Sequence, residues 1–418
     1  IPFCSRICPF CPYNKVIPRG DQAPRYFDAL TREVDAYLAA GAGGEDGFTS
    51  LYVGGGTPTL YPEELGALLA MIPVSGERAV EVLPTHGTPA RLATLADVGF
   101  TAVSIGAQSF HDEVLRRLRR PHDARQAHDA VAAAAGRFSL VDVDLIVDVE
   151  LDDRLHGAFL ADLAECFSLG VDQVSTYPLM RFGYTPFGRA RHDRRREHEV
   201  LAEATRIARA HGYERRSVWT FNRRTSGSYT SITRRRFLGF GAGASSFLGR
   251  DFVVNHFGVE AYIDAVLASH PPIARWLHLG AAGGAGYDAF WQAYAGGISL
   301  TSLADSYGSW AYGVRALLAP LCWAGWLRHE DARTVSRQGP DAGELDPGAR
   351  LALTPRGFDR FHDLERWVTY ELIEPLWAQM LAEHAAEGAA ARWVNPGSGR
   401  RGRLWQVAER VLERPVGT

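Results

Sequence analysis

From residue 21 to residue 211, short apolar runs alternate with amphipathic helical stretches, and this alternation constrains the fold more than any other feature. The apolar runs are 50–53, 79–83, 102–106, 141–149 and 173–177. Ile1-Pro2-Phe3 reads as the end of a further strand, with more chain expected before it. Between the runs lie 21–40, 62–69, 89–98, 124–134, 159–169 and 197–211. In the first of these, Tyr26, Leu30, Val34 and Tyr37 fall three or four apart, the spacing of one helix face. Strands separated by helices run parallel, joined by right-handed crossovers. Six such strands are expected. Alternation by itself fits both a partial β/α barrel and an open doubly wound sheet. At 418 residues the chain exceeds one typical core, so more than one domain is expected.

The chemistry concentrates in the first fifteen residues. Cys4, Cys8 and Cys11 are three of the five cysteines and are spaced C-x3-C-x2-C. A tight loop with that spacing can aim three thiolates at one point. An iron–sulfur cube normally takes four cysteine thiolates. Three leave one iron open, and an open coordination position separates a reactive metal centre from a structural one. A zinc knuckle would need a fourth Cys or His close by, and the nearest histidine is His86. A disulfide framework suits a small secreted chain, not this one. Cys166 and Cys322 stand alone and read as buried small hydrophobes. Thiolate ligation needs a reducing compartment, which points to the cytoplasm.

Four later stretches carry groups suited to a polar ligand. The Gly54-Gly55-Gly56-Thr57-Pro58-Thr59 run follows an apolar strand, and glycines let backbone approach a ligand closely. Glu81 sits among apolar strand neighbours, where a carboxylate needs a partner. Gln108, in Gly106-Ala107-Gln108-Ser109-Phe110, has both a donor and acceptors. Arg120 follows, crowded by Arg116, Arg117 and Arg119. A guanidinium can grip a carboxylate with two bonds, or simply offset a helix C-terminus. Asp144, in Val143-Asp144-Leu145-Ile146, suits a ribose diol, with Asp142 and Asp148 as rivals.

Together with Ile1-Pro2-Phe3, the cysteine loop resembles that of the radical S-adenosylmethionine (SAM) enzymes, in the oxygen-independent coproporphyrinogen oxidase-like branch. The resemblance implies a [4Fe–4S] cluster on Cys4, Cys8 and Cys11, with SAM chelated by the fourth iron. One electron then cleaves SAM to methionine and a 5′-deoxyadenosyl radical, and the donor would be a flavodoxin or ferredoxin. It further implies Phe10 beside the adenine. Gly55, Gly56 and Thr57 would lie at the SAM amino group, Glu81 would bind a SAM, and Gln108 would sit at the ligand. Arg120 would lie at the SAM carboxylate and Asp144 at the ribose. Met180 would pack on the adenosine. Ser245, in the 237–246 run that resembles the family's G-x-G-x-x-A-x-S, would touch a second SAM. The resemblance covers about residues 1–265. It breaks at Val147-Asp148-Val149-Glu150-Leu151, where relatives carry G-L-P-G-Q, so the substrate is in question.

The resulting expectation is an α/β fold: a partial (β/α)6 TIM-type radical SAM barrel with a mostly helical C-terminal accessory domain. The boundaries are 1–215 for the core barrel, 216–285 for an extension closing it, and 286–418 for a Trp-rich substrate-side domain. Nine of ten tryptophans lie from Trp276 onward and read as core, unless a cluster faces the barrel mouth as an aromatic wall. Helical spacing marks 300–326 and 358–384, with 338–349 a loop between. The net charge of −3 gives no case for nucleic acid, and no run of about 18 apolar residues suggests a membrane span. The function expected is C-methylation or methylene transfer to a small planar aromatic, heterocyclic or tetrapyrrole substrate, with a second SAM. The alternatives are coproporphyrinogen oxidation and haem carriage by a chaperone. The run Tyr229-Thr230-Ser231-Ile232-Thr233 stands where the haem carriers have His-Asn-Tyr-Trp. The arginine runs 194–196 and 234–236 could grip propionates, but such runs are ordinarily solvated surface. No residue is assigned to substrate chemistry.

Overall fold

Five strands stand side by side in chain order, all parallel: β1 (Phe48–Val53), β2 (Val74–Val82), β3 (Ala102–Gln108), β4 (Leu140–Val147) and β5 (Gln173–Pro178). The computed structural model describes residues 1–147, 153–188, 193–225, 235–330 and 350–387. Helices α1 (Gln22–Ala39), α2 (Pro62–Met71), α3 (Pro89–Asp97), α4 (Asp112–Arg117), α5 (Ala124–Ala134), α6 (Asp153–Ser168) and α7 (Arg194–Ala210) supply the crossovers and flanks. After α7 the chain turns back. Strands β6 (Tyr213–Arg215) and β7 (Thr220–Arg223) form a hairpin that extends the sheet antiparallel beside β5.

The strands are apolar because a parallel sheet covered by crossovers is buried on both faces. Val80, Val103, Ile105, Val143, Leu145 and Val174 are nearly inaccessible, packed against Leu65, Leu92, Leu95, Val131 and Leu163 of the helices. Local signals set the helix starts. Thr88 accepts from the Arg91 N–H at the head of α3, and Asp123 and Gln126 form a reciprocal capping box on α5.

Three expectations change. The first strand is no regular strand: Ile1–Phe3 contributes two backbone bonds to the 54–57 turn and one isolated bridge, Phe3 to Val16. Three residues give too few ladder bonds to register as a strand, so five parallel strands stand among the described residues where six were expected. Second, none of the described C-terminal tryptophans is fully buried. Trp276, Trp310, Trp323 and Trp367 are exposed, Trp291, Trp326 and Trp377 are half-buried, and Trp393 and Trp405 lie outside the described residues. Third, Cys166 is buried as expected, but Cys322 is only half-buried.

Beyond residue 235 the described chain is mostly helical. It includes Val259–Leu267, Gly280–Tyr294, Leu300–Tyr307, Trp310–Trp323, Pro355–Val368 and Glu374–Glu387. The helical stretch 300–326 breaks at Gly308, whose φ of +60° ends the first helix. Two three-stranded antiparallel sheets accompany the helices, one of Ser245–Phe247, Asp251–Asn255 and Ile273–His278, the other of Gly297–Ser299, Arg350–Leu353 and Leu327–His329. Their strands hold three to six residues, too few to leave a period in the sequence. No described helix is long and apolar enough to cross a membrane.

Candidate functional site

The cysteine loop is closed at its neck by backbone. The Cys4 N–H donates to the Val16 carbonyl at 2.9 Å, and the Val16 N–H to the Pro2 carbonyl at 2.8 Å. Inside the loop the Cys11 N–H turns back onto the Cys8 carbonyl at 3.3 Å. Lys15 donates to the Cys11 carbonyl at 2.5 Å and the Tyr13 carbonyl at 3.1 Å, which braces the far side. All three cysteines are free thiols, Cys4 buried and Cys8 and Cys11 half-buried. Burial pushes the Cys4 thiol up, opposed by a hydrogen bond from the Thr57 side chain. Burial likewise pushes Cys11 up to about 11.

Of the four crowded arginines, the fold selects one. Arg120 Nη1 lies 3.4 Å from Cys8 Sγ, Nη2 donates to the Gly106 carbonyl at 2.6 Å, and the guanidinium sits 6.0 Å from the Phe10 ring centre. Arg116 and Arg119 are exposed, and Arg117 pairs with Glu113 at 2.9 Å along α4. Phe10 itself packs against the cluster of Val114, Leu118, Ile146 and Leu179. Met180 follows Leu179 directly at the end of β5.

The glycine turn lies against the neck of the cysteine loop. The Gly56 and Thr57 N–H groups donate to the Ile1 and Phe3 carbonyls, both at 2.7 Å. Gly55 has φ +114°, and a Cβ on Gly56 would meet the Phe3 carbonyl oxygen at 2.5 Å. Only glycine fits either position. Glu81, on β2, accepts from the Gly55 N–H at 3.0 Å and from the Tyr52 hydroxyl. Burial raises its pKa to about 7, and the nearby Asp144 adds to the rise.

The aspartates of β4 also separate. Asp142 is buried, and its Oδ2 accepts from Ser175 Oγ at 2.7 Å and Gln173 Nε2 at 3.1 Å, both residues of the neighbouring strand. Asp144 lies one pleat further along. It accepts from Ser104 Oγ at 2.9 Å, and its pKa rises to about 6 through burial, opposed by Ser104 and the Arg120 charge. Asp148 and Glu150 lie outside the described residues. Gln108 ends β3 at a break in register with φ +69°, and the Cβ position of Gly106 is 3.1 Å from its Nε2. Such a backbone conformation is rare for a residue with a side chain and is enriched at ligand sites.

Cys8, Phe10, Glu81, Gln108, Arg120 and Asp144 therefore share one region at the carboxyl ends of the strands, where open α/β sheets bind ligands. Ser245 arrives from the first small antiparallel sheet. It lines a cavity of 2340 Å³ that also borders Gly54, Gly55 and Tyr13, although the lining does not include the cysteines. Residues without a sequence signal hold the site together. Asn14 Nδ2 donates to the Ala242 carbonyl at 3.3 Å and the Phe257 carbonyl at 2.8 Å, tying the cysteine loop to the 239–245 turn. Tyr52 and Ser104, which read as ordinary strand residues, hold the two carboxylates.

The donor set suits an iron–sulfur cluster. Three free thiols share one short loop, with the cations of Lys15 and Arg120 beside them and no disulfide competing. Among the described residues no three Cys, His, Asp or Glu side chains converge on one point as a bound ion requires. The cysteines share the loop, and a cluster would draw the three thiolates together.

Residues 1–160 match the Radical SAM superfamily. The chain is 28% identical over 285 residues to "Heme chaperone HemW" of Bacillus subtilis, covering 64% of this chain and 74% of that protein. It is 31% identical over 189 residues to "Oxygen-independent coproporphyrinogen III oxidase" of Pseudomonas aeruginosa, covering 42% of this chain and 40% of that one. Among solved structures, coproporphyrinogen III oxidase (HemN) from Escherichia coli superposes with a TM-score of 0.69 at 22% identity, over 87% of both chains, which is a likeness of fold. The chain carries a radical SAM domain over residues 1–160, and its relatives and fold neighbour are proteins of the oxygen-independent coproporphyrinogen oxidase-like kind.

Proposed function

We propose that this chain cleaves SAM at a [4Fe–4S] cluster held by Cys4, Cys8 and Cys11 and acts on a planar substrate, a second SAM donating a methyl or methylene carbon. The observation that carries the reading is Arg120 at the Cys8 sulfur, beside a loop of three free thiols. When bound, the cluster and SAM would supply one-electron chemistry and a primary carbon radical able to take hydrogen from an unactivated C–H bond. The chain's own groups would do the holding. The Gly54–Gly56 backbone admits a polar group closely, and Glu81 can accept from a cationic amine beside it. Arg120 offers its fork to a carboxylate. Asp144 offers acceptors to a diol. Phe10 gives a flat apolar wall.

Support for a second nucleotide comes from the cavity, which borders Ser245 as well as Gly54 and Gly55. The division at residues 215 and 285 belongs to the same reading: a barrel for the radical step, an extension bearing Ser245, and a C-terminal region for the substrate. A ferredoxin or flavodoxin would supply the electron. The test is anaerobic reconstitution followed by incubation with SAM, dithionite and planar substrates. Both 5′-deoxyadenosine and S-adenosylhomocysteine are expected. Deoxyadenosine without a methyl-donor product sinks the two-SAM version.

A second reading is haem carriage, favoured by the similarity to a relative named as a haem chaperone. Tight haem binding with no substrate-dependent SAM cleavage would replace the first reading with this one. The coproporphyrinogen oxidase relative keeps porphyrinogen oxidation as a third. The arginine runs do not add to it. Arg194 pairs with Asp363 at 2.8 Å, Arg195 with Glu199 at 2.8 Å, and Arg235 with Asp288 at 3.3 Å, while Arg234 lies outside the described residues.

A further inference from the structure

The helix Glu374–Glu387 comes from far along the chain, yet it is bonded to the segment that leaves β5. The Gly183 N–H donates to Glu374 Oε1 at 2.6 Å, and the Arg181 N–H donates to Tyr370 Oη at 3.2 Å, one residue after Met180. Tyr370 lies in a π-helical turn, Thr369–Ile373, that joins this helix to Pro355–Val368. Such turns are rare and cluster at functional sites. The same helix brings Trp377 to Tyr13 of the cysteine loop.

Trp377 and Tyr13 meet there with ring centres 6.1 Å apart and planes at 57°, an open corner rather than a closed stack. Tyr13 is 53% exposed, and both rings line the 2340 Å³ cavity. The exposed face of Tyr13 thus opens into the cavity, which also borders Gly54 and Gly55. Behind the corner, Phe182 stacks on Tyr184 with centres 5.3 Å apart and planes at 9°. Phe182 also touches Trp377 at 6.3 Å and Tyr370 at 5.6 Å. The supporting rings are thus fixed, while the two front rings keep free faces.

We propose that Tyr13 and Trp377 are the two walls of a seat for a planar conjugated ring system, holding it over the cysteine loop. A flat π-system gains most from rings that are already in place, because stacking then adds little ordering. A saturated or extended substrate would leave both faces wet. The inference rests on the proposed function, since it names the subsite where that substrate would lie.

The test measures binding by the anaerobically reconstituted full chain. The probes are metal-free protoporphyrin IX, which no cysteine or histidine can ligate through iron, and acridine, a smaller planar heterocycle. Fluorescence titration of wild type, Trp377→Ala, Trp377→Phe and Trp323→Ala gives the affinities. The expected result is a loss of about tenfold or more for at least one probe in Trp377→Ala. Trp377→Phe should retain affinity within about threefold, because a smaller aromatic ring keeps the wall. Trp323, 91% exposed, should be replaceable without effect. Unchanged binding of both probes in Trp377→Ala, an equal loss in Trp323→Ala, or a wild type that binds neither probe overturns the proposal. Cluster absorbance and SAM cleavage by the wild type decide the broader reading separately, since probe binding requires no turnover.

Discussion

At the scale of single residues, the two carboxylates of the site give a stability that depends on pH in a fixed direction. Burial raises Glu81 to about 7 and Asp144 to about 6. In an unfolded chain both would release their protons near pH 4. Between that pH and about 7 the folded protein binds more protons than the unfolded chain, so stability falls as pH rises and levels off above 7. Glu81→Gln removes the titration. Its melting midpoint, measured without SAM, should gain on wild type by about 3–6 °C between pH 5 and pH 8. A variant that tracks wild type at both pH values would show that Glu81 does not carry the shift. The cysteines make a simpler case. Replacing Cys4, Cys8 or Cys11 by Ala should abolish iron and sulfide uptake on anaerobic reconstitution, because each would be a ligand. Cys166→Ala and Cys322→Ala should take up both as wild type does, since neither adjoins the loop. Loss of iron in Cys166→Ala with the fold intact would point to a ligand outside the loop.

At the scale of elements, the site depends on a clamp between α1 and the turn that precedes Ser245. Glu33 of α1 is buried and accepts from the Gly241 N–H at 2.8 Å, Asn255 Nδ2 at 2.9 Å and Tyr262 Oη at 2.5 Å. Asn14 grips the other side of the same turn. Glu33→Ala would leave the Gly241 N–H and the Tyr262 hydroxyl without this acceptor, each worth about 1–3 kcal/mol, and Asn255 Nδ2 with the Gly241 carbonyl, and should lower the urea midpoint sharply. Glu33→Gln keeps one acceptor oxygen and should recover part of the loss. Equal midpoints for the two variants would mean that packing, not hydrogen bonding, holds the turn. None of this clamp was legible in the sequence. Glu33 lies on the apolar face of its helix, seven residues after Tyr26 and three after Leu30, but its partners come more than 200 residues later, where no local pattern reaches them. The strand–helix order was legible because apolar period and glycine punctuation are local. The resemblance named Arg120 and Asp144, whereas the contacts that set them apart from their neighbours, Arg120 to Cys8, Asp144 to Ser104 and Asp142 to Ser175, join segments far apart in the chain. The small antiparallel sheets and the exposure of the C-terminal tryptophans depended on contacts between distant segments, which no window of sequence contains.

At the scale of the whole molecule, the last described helix reaches the first fifteen residues through Trp377 and Tyr13, so on the proposed reading the C-terminal region would complete a site that the barrel begins. Bonds from Gly183 to Glu374 and from Arg181 to Tyr370 join the two. Glu374 is buried, and its carboxylate holds the Gly183 N–H. The sheet beneath is held by long parallel ladders and a continuous apolar core. The two parts should therefore open at different free energies, as elements with few buried contacts do. Glu374→Ala would leave the Gly183 N–H without this acceptor and loosen the 180–187 segment against the helix. In native-state hydrogen exchange, amides at 180–187 should exchange about ten- to a hundredfold faster in the variant, the loss of roughly 1–3 kcal/mol. Amides of β2, β3 and β4 should keep their wild-type protection. Equal acceleration in both regions would mean that Glu374 supports the whole fold. No acceleration at 180–187 would mean that the helix is held by its aromatic contacts alone.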